Sequence, residues 1–324
     1  AVVEVLRGDW LTQGPAVAEF ENAVASRVGA KHAVAVANGT AALHLAALAA
    51  GSGPGDVLWT SPITFVASAN CARYTGAEAD FVDIDEESAL MDPVALEHKL
   101  DAAAATGRLP RAIVPVHFAG QPCDMDRIGG LARRHGVMVI EDAAHAIGAS
   151  FAGAPVGACQ HSGMTVFSFH PVKLITTGEG GMVATNDDEL AARLRLLRTH
   201  GITRDAQCMV AEPEGPWSYE QVELGFNYRI TDFQCALGTR QLLRLDGFLA
   251  RRAALAARYD ELLAGLPVRP LARRAGRDSG WHLYVVNVRR EAAHSRREVF
   301  ERLRAAGIGV NVHYIPVHLQ PYYR

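Results

Sequence analysis

The sequence predicts an α/β protein with a mostly parallel sheet sandwiched by helices in a large domain, residues 1–240. A smaller C-terminal α+β domain, residues 241–324, is expected to follow. Two observations carry this. Short apolar runs alternate with helical stretches in a β-α-β rhythm. The strand-like runs are also almost continuously apolar, as strands buried on both faces are.

Taken in order, residues 19–28 read as an amphipathic helix, Val34-Ala-Val-Ala37 as a short strand, and residues 38–50 as a mostly apolar helix. Strand-like runs at 79–83, 112–116 and 137–140 alternate with helices starting near Asp92 and Asp124, the second ending at Gly136, a C-terminal signal. Residues 164–169 and 181–185 add two strands, and residues 187–199 are helical. Residues 202–223 lack periodicity and read as a loop, a place where function often resides. Residues 232–265 read as one long arginine-rich helix leading into the smaller domain. That domain is expected to hold a strand at 281–288, a helix at 295–306 and a strand near 309–314.

With 324 residues, 49% of them hydrophobic, the chain can bury a large core. A net charge of −3 gives no bulk attraction to nucleic acid or to an anionic membrane. The pairs Arg133-Arg134 and Arg251-Arg252 read as solvated helix surface. Five cysteines are scattered without a Cys-x-x-Cys pair, which fits free thiols in a reducing cytoplasm and argues against structural zinc. No apolar run approaches a membrane span and no signal peptide is visible. The sequence starts at Ala1 and stops at Arg324, so a trimmed form of a longer protein is expected.

The chemistry concentrates around Lys173, one of only three lysines. Lys31 lies in a polar turn and Lys99 on the outer face of a helix, where lysines are usually solvated. Lys173 follows the apolar run Phe167-Ser-Phe and precedes Gly178-Glu-Gly-Gly181. A lysine held against apolar neighbours loses its proton readily and becomes an amine nucleophile. Asp142 falls at the carboxyl end of the strand Val137-Met-Val-Ile140, where open α/β sheets place ligands. A carboxylate there suits a protonated pyridine nitrogen; the plainer alternative is a helix cap. Its neighbour Glu141 reads as a partner for some arginine. Asn38-Gly39-Thr40 starts a helix after a strand and suits a phosphate, though it is also ordinary capping chemistry. Ser168 offers a second hydroxyl, and Phe65 an aromatic face for a flat ring.

These motifs together resemble the DegT/DnrJ/EryC1/StrS family of sugar aminotransferases, within the fold type I pyridoxal-phosphate enzymes. The matching stretches are Trp10-Leu-Thr-Gln-Gly-Pro15, Asn38-Gly-Thr40, Pro62-Ile-Thr-Phe65, Glu141-Asp-Ala-Ala-His145, Ser168-Phe-His-Pro-Val-Lys173, Gly178-Glu-Gly-Gly181 and Gly225-Phe-Asn-Tyr-Arg-Ile-Thr-Asp232, in family order. The resemblance implies that Lys173 forms the Schiff-base link to pyridoxal phosphate and that Asp142 pairs with the pyridine nitrogen. Phe65 would stack on the ring and His145 lie near the phenolic oxygen. Thr40, Ala41 and Ser168 would hold the phosphate, with Asn227 reaching it across a homodimer interface. A dehydratase branch of the family carries histidine at the lysine position; His170 lies three residues before it, so transamination is expected.

Within the family, residues 167–181, 216–220, 224–234 and 311–323 resemble the branch that serves pseudaminic-acid biosynthesis. That resemblance implies amination of carbon 4 of a UDP-linked 4-keto-6-deoxy-N-acetyl-hexosamine with L-glutamate as donor. Leu11, Thr12, Gln13, Tyr228, His313, Tyr314, Ile315 and Pro316 would contact the sugar nucleotide. The alternatives are a dTDP- or GDP-linked keto-sugar aminated at C3 or C4, a dehydratase of the same fold, or a regulator that binds the cofactor without turnover. An NAD enzyme is excluded by the absence of Gly-x-Gly-x-x-Gly after the first strand.

Overall fold

The structure, a computed structural model, describes residues 1–289 and 292–324. Seven strands form the main sheet: β1 His32–Val36, β2 Val57–Thr60, β3 Glu78–Phe81, β4 Ala112–Val114, β5 Met138–Asp142, β6 Met164–Ser168 and β7 Gly181–Thr185. Their order across the sheet is β1-β7-β6-β5-β4-β2-β3. The pairs β2/β3, β2/β4, β4/β5 and β5/β6 are parallel. β7 runs antiparallel to β1 and β6. The connection from β6 to β7 contains no helix, and a return without a crossover yields an antiparallel neighbour.

Helices cover both faces, as the α/β expectation required. The principal ones are α1 Val2–Arg7, α2 Pro15–Val28, α3 Gly39–Ala49, α4 Ala67–Tyr74, α5 Pro93–Ala105, α6 Met125–Arg134, α7 Asp188–Arg198, α8 Asp232–Leu242, α9 Leu245–Leu263 and α10 Arg296–Ala305. Strand parity divides the core. In β1, Val34 and Val36 join the cluster beneath α3 and α7, while Ala33 and Ala35 join the one beneath α2 and α8. Met164 and Val166 of β6 face the first cluster and Phe167 the second, because successive strand residues point to opposite faces.

Several boundaries differ from the sequence expectation, each for a non-local reason. α2 begins at Pro15 rather than at residue 19, because the buried Asp232 carboxylate accepts from the N–H groups of Gly14 (2.9 Å) and Ala16 (3.1 Å). β2 and α4 were not anticipated; at four and eight residues they are too short for a clear period. The single helix expected over 232–265 is two, α8 and α9, broken at Leu243-Arg244 without a glycine or proline. Leu245 is fully buried there and faces Gly148 together with Leu249. The helix expected at 295–306 is α10, capped by a reciprocal Ser295–Glu298 box.

In the C-terminal part, only Val286–Val288 of the expected strand forms a ladder, with Val268–Pro270. Its front half is instead held to a loop, Gly280 N–H donating to Gly120 O and Leu283 N–H to Ala119 O. Residues 309–314 form no strand. The expected domain boundary at residue 240 falls inside α8.

Candidate active site

The site is built at the carboxyl ends of the parallel strands. Adjacent carboxylates at the end of β5 point to opposite faces. Asp142, 5% exposed, accepts a hydrogen bond from Ser68 Oγ at 2.6 Å on one oxygen and from the Ala144 N–H at 3.1 Å on the other. Glu141 does not meet an arginine, contrary to expectation. It accepts from His117 Nε2 at 2.7 Å, from Thr165 Oγ1 at 3.1 Å and from Ser162. The Cys123 N–H donates to His117 Nδ1, so the ring's proton sits on Nε2 and faces Glu141. Burial pushes the Glu141 carboxyl up; the hydrogen bonds from His117, Ser162 and Thr165 more than reverse this and leave it below its ordinary value.

Lys173 lies in the loop between β6 and β7, half-buried, its N–H donating to His170 O at 2.9 Å. Burial lowers its ammonium pKa, against the opposing charge of Asp142. The other lysines are engaged in ion pairs. Lys31 pairs with Asp188 at 2.6 Å. Lys99, expected in solvent, instead meets Asp80 and Phe81 O, each at 2.6 Å, and lies 4.8 Å from the Trp59 ring centre. Among the described residues, Lys173 is the lysine left without an ion pair.

Three imidazoles, those of His145, His282 and His313, feel the charge of that amine. His145 (6% exposed) and His282 (8%) lie with ring centres 4.3 Å apart, and each buries an Nδ1 that has no hydrogen-bond partner among the described residues. Burial first, then the Lys173 charge, lowers both pKa values, His282 to about 3 and His145 well below its ordinary value; His313 is lowered by the same causes. Uncharged rings can donate and accept beside a reacting amine. The sequence reading missed His282, since nothing in Trp281-His-Leu-Tyr284 marks it. Arg252, expected on solvated surface, fixes it by donating to Trp281 O (2.9 Å) and His282 O (3.2 Å).

Phe65 presents a ring 58% exposed, 6.5 Å from that of Tyr314. The Tyr314 hydroxyl is pushed above its ordinary pKa by burial and by Asp142. Ile315 is exposed, and just beyond Pro316 the Val317 N–H donates to Pro62 O at 2.9 Å, which holds the C-terminal run against the segment that bears Phe65.

The turn at Asn38-Gly39-Thr40, expected to hold a phosphate, is compressed. A Cβ on Gly39 would lie 2.9 Å from Ser168 Cβ, so glycine is needed for this close approach of β6 to the start of α3. Asn38 Oδ1 accepts from the Ala41 N–H at 2.8 Å, so the capping alternative holds as well. The buried Ala41 amide is thereby committed, and the amides of Gly39 and Thr40, in the first turn of α3, have no backbone partner among the described residues. Beside them, the Ala37 N–H donates to Tyr228 O at 2.8 Å. The Tyr228 hydroxyl lies 3.1 Å from His44 Nδ1 and its ring stacks on Phe226, which tucks it against α3; Asn227 is exposed. Leu11, Thr12 and Gln13 are exposed and run along the start of α8, Leu11 O accepting from the Asp232 N–H at 3.0 Å. Among the described residues no cluster of His, Cys, Asp and Glu is arranged to hold a metal ion.

A depressed lysine amine, a carboxylate at the strand end, a turn that only glycine fits and two imidazole nitrogens awaiting partners suit pyridoxal phosphate. The fold and these groups define the class as pyridoxal-phosphate-dependent sugar aminotransferases. Residues 1–324 match the DegT/DnrJ/EryC1/StrS aminotransferase family, and the chain belongs to it. It is 45% identical to the spore coat polysaccharide biosynthesis protein SpsC of Bacillus subtilis over 327 residues, 100% of this chain and 82% of that protein. It superposes on Helicobacter pylori PseC, an aminotransferase of pseudaminic-acid biosynthesis, with a TM-score of 0.89 and 31% identity over 99% of this chain and 83% of that one. The pyridoxal-phosphate form of the sugar aminotransferase Spr1654 from Streptococcus pneumoniae gives a TM-score of 0.88 at 31% identity, with the same coverage.

Proposed function

We propose that the protein aminates carbon 4 of a UDP-linked 4-keto-6-deoxy-N-acetyl-hexosamine with L-glutamate as donor, for pseudaminic acid or a related surface glycan. The observation that carries the catalytic part is Lys173, held without an ion pair beside Asp142, its charge felt by three imidazoles. Pyridoxal phosphate supplies the electron sink and carries the amino group between donor and acceptor. Lys173 Nζ would anchor it and shuttle the proton. Asp142 would pair with the pyridine nitrogen, Phe65 would stack on the ring, and His145 would lie near the phenolic oxygen. Thr40, Ser168 and the partner subunit's Asn227 would bind the phosphate, while the Ala41 N–H, held by Asn38, braces the turn that carries Thr40. Leu11, Thr12, Gln13, Tyr228 and the run from His313 through Tyr314 and Ile315 to Pro316 contact the sugar nucleotide. The likeness to PseC supports this sugar, but the likeness to SpsC keeps other nucleotide keto-sugars in view.

The homodimer gains support from the exposed Asn227 and the exposed apolar side chains of Trp10, Trp217 and Leu224. The five free thiols support a reducing, cytoplasmic setting. The substrate test compares kcat/KM for UDP-, dTDP- and GDP-linked 4-keto sugars with glutamate, scoring the amino sugar by mass. Preference for a dTDP or GDP sugar removes the substrate assignment and leaves the chemistry standing. For shared sites, inactive Lys173→Ala chains are mixed with inactive Asn227→Asp chains. Hybrid dimers that regain activity support the shared phosphate; inactive hybrids, confirmed by mass, refute it.

A further inference from the structure

We propose that Ser68, backed by Thr64, is a positioning residue that fixes the Asp142 carboxylate for its work on the cofactor's pyridine nitrogen. The proposal rests on the role given to Asp142 above. Ser68 sits in the first turn of α4 and Thr64 four residues earlier, with Phe65 between them. Ser68 Oγ lies 2.6 Å from Asp142 Oδ2, and Thr64 Oγ1 lies 2.7 Å from Ser68 Oγ. All three side chains are buried.

An ionised carboxylate only accepts, and a serine has one proton. The Ser68 proton therefore goes to Asp142, and the Thr64 proton goes to Ser68. The chain of donors has one direction, and each bond polarises the next in a site shielded from water. The main competitor for the Ser68 proton is Phe65 O at 3.3 Å, a longer contact to a neutral acceptor. With the Ala144 N–H on Oδ1, each carboxylate oxygen carries one donor, which sets the plane of the group.

The carboxylate is thereby oriented, one donor on each oxygen fixing its plane by charge-assisted hydrogen bonds. A carboxylate held in that plane keeps its charge aimed at the pyridine nitrogen, whose proton makes the ring an effective electron sink. The segment 64–68 thus supplies both the stacking ring and the donor that conditions the opposite partner.

The test is nitrogen NMR of the enzyme loaded with pyridine-15N-labelled pyridoxal phosphate, together with the glutamate half-reaction rate. Ser68→Ala should move the 15N resonance towards the neutral pyridine value. It should slow the half-reaction about 10- to 100-fold, the scale of one hydrogen bond to a charged group. Ser68→Thr should restore both readings, and Thr64→Val should give part of each change. Ser61→Ala is the control, since Ser61 Oγ is buried without a partner and should leave both unchanged. A Ser68→Ala enzyme with an unmoved resonance and normal rate overturns the proposal. If that variant does not fold, Thr64→Val decides, and an unmoved resonance there overturns it. Asp142→Asn separates the two levels. If its half-reaction is near normal, the role of Asp142 itself fails; if it is slow while Ser68→Ala is normal, only the positioning role fails.

Discussion

The sheet and the C-terminal segment contribute to the same site by different means. Side chains on the sheet are placed by buried ladders, where parity decides that Glu141 faces His117 and Asp142 faces Ser68. The C-terminal residues are placed largely outside the main sheet: Leu271, Leu283, Val285 and Tyr314 pack on the edge of the core, Arg252 donates to the carbonyls of Trp281 and His282, Gly280 and Leu283 to the loop at Gly120, and Val317 to Pro62. α10 buries no residue, and α9 buries only Leu245 and Ala256. The reactive amine and its carboxylate therefore belong to the sheet, and shaping of the pocket mouth to the loops packed on its edge.

The largest expected effect is at the amine. Lys173→Arg keeps a charge but remains protonated, so covalent cofactor and turnover should both vanish, while Lys31→Arg and Lys99→Arg retain them. Borohydride reduction followed by peptide mapping checks this, and a label on Lys31 or Lys99 would break the assignment. Next is the support behind β5. His117→Phe leaves the buried Glu141 carboxylate without its main donor and should cost about 2–3 kcal/mol in urea unfolding, the scale for removing a hydrogen bond to a buried charged group. The glutamate half-reaction of the protein that remains folded should stay close to normal, which would sharpen the division between scaffold and chemistry.

Acid should act through the imidazoles. His282, with a folded pKa of about 3 against an ordinary 6.5, must take up its proton on unfolding across that window. The unfolded chain then binds more protons, so stability is present above pH 6.5 and lost as pH falls towards 3. The slope approaches about 1.4 kcal/mol per pH unit per buried histidine. Urea midpoints between pH 7 and 4.5 measure it, and His282→Gln should flatten the profile. The smallest effect expected is at a C-terminal tie. Arg252→Ala should raise the KM for the sugar nucleotide about tenfold, the worth of one to two modest hydrogen bonds. The glutamate half-reaction should hardly change; a large fall there would break the comparison.

What could be read in advance was what local pattern encodes. Lys173 stood out because its neighbours are apolar and its successors glycine, and Asp142 because an apolar run ends on it. Asn38-Gly-Thr40 announced a cap, and Asn38 Oδ1 does accept from the Ala41 N–H; the phosphate use of the same turn belongs to the function proposed above. Ser68 and His282 carried no such mark, because their value lies in what the fold brings against them: a carboxylate 74 residues away and a second imidazole. The break between α8 and α9 was equally silent, being set by Leu245 and Leu249 closing on Gly148. Glu141 was assigned an arginine because sequence alone cannot show which polar group lies across a strand.

The clasp of Asp232 on the amides of Gly14 and Ala16 has a consequence for how the molecule assembles. β1 lies at the sheet's edge and pairs only with β7, so His32 finds Thr185, and α2 is not fastened until Asp232 is present. During synthesis β1, the earliest of the sheet's seven strands in the chain, is thus completed last. At ribosomal speed, the 149 residues from Val36 to Thr185 (185 − 36) take on the order of ten seconds. Through that interval Val34, Val36 and Phe20 have no ladder or core to enter. The segment from Pro15 to Val36 is therefore where a chaperone that shields apolar segments should bind, and a lengthened pause before residue 185 should lower the yield of soluble protein.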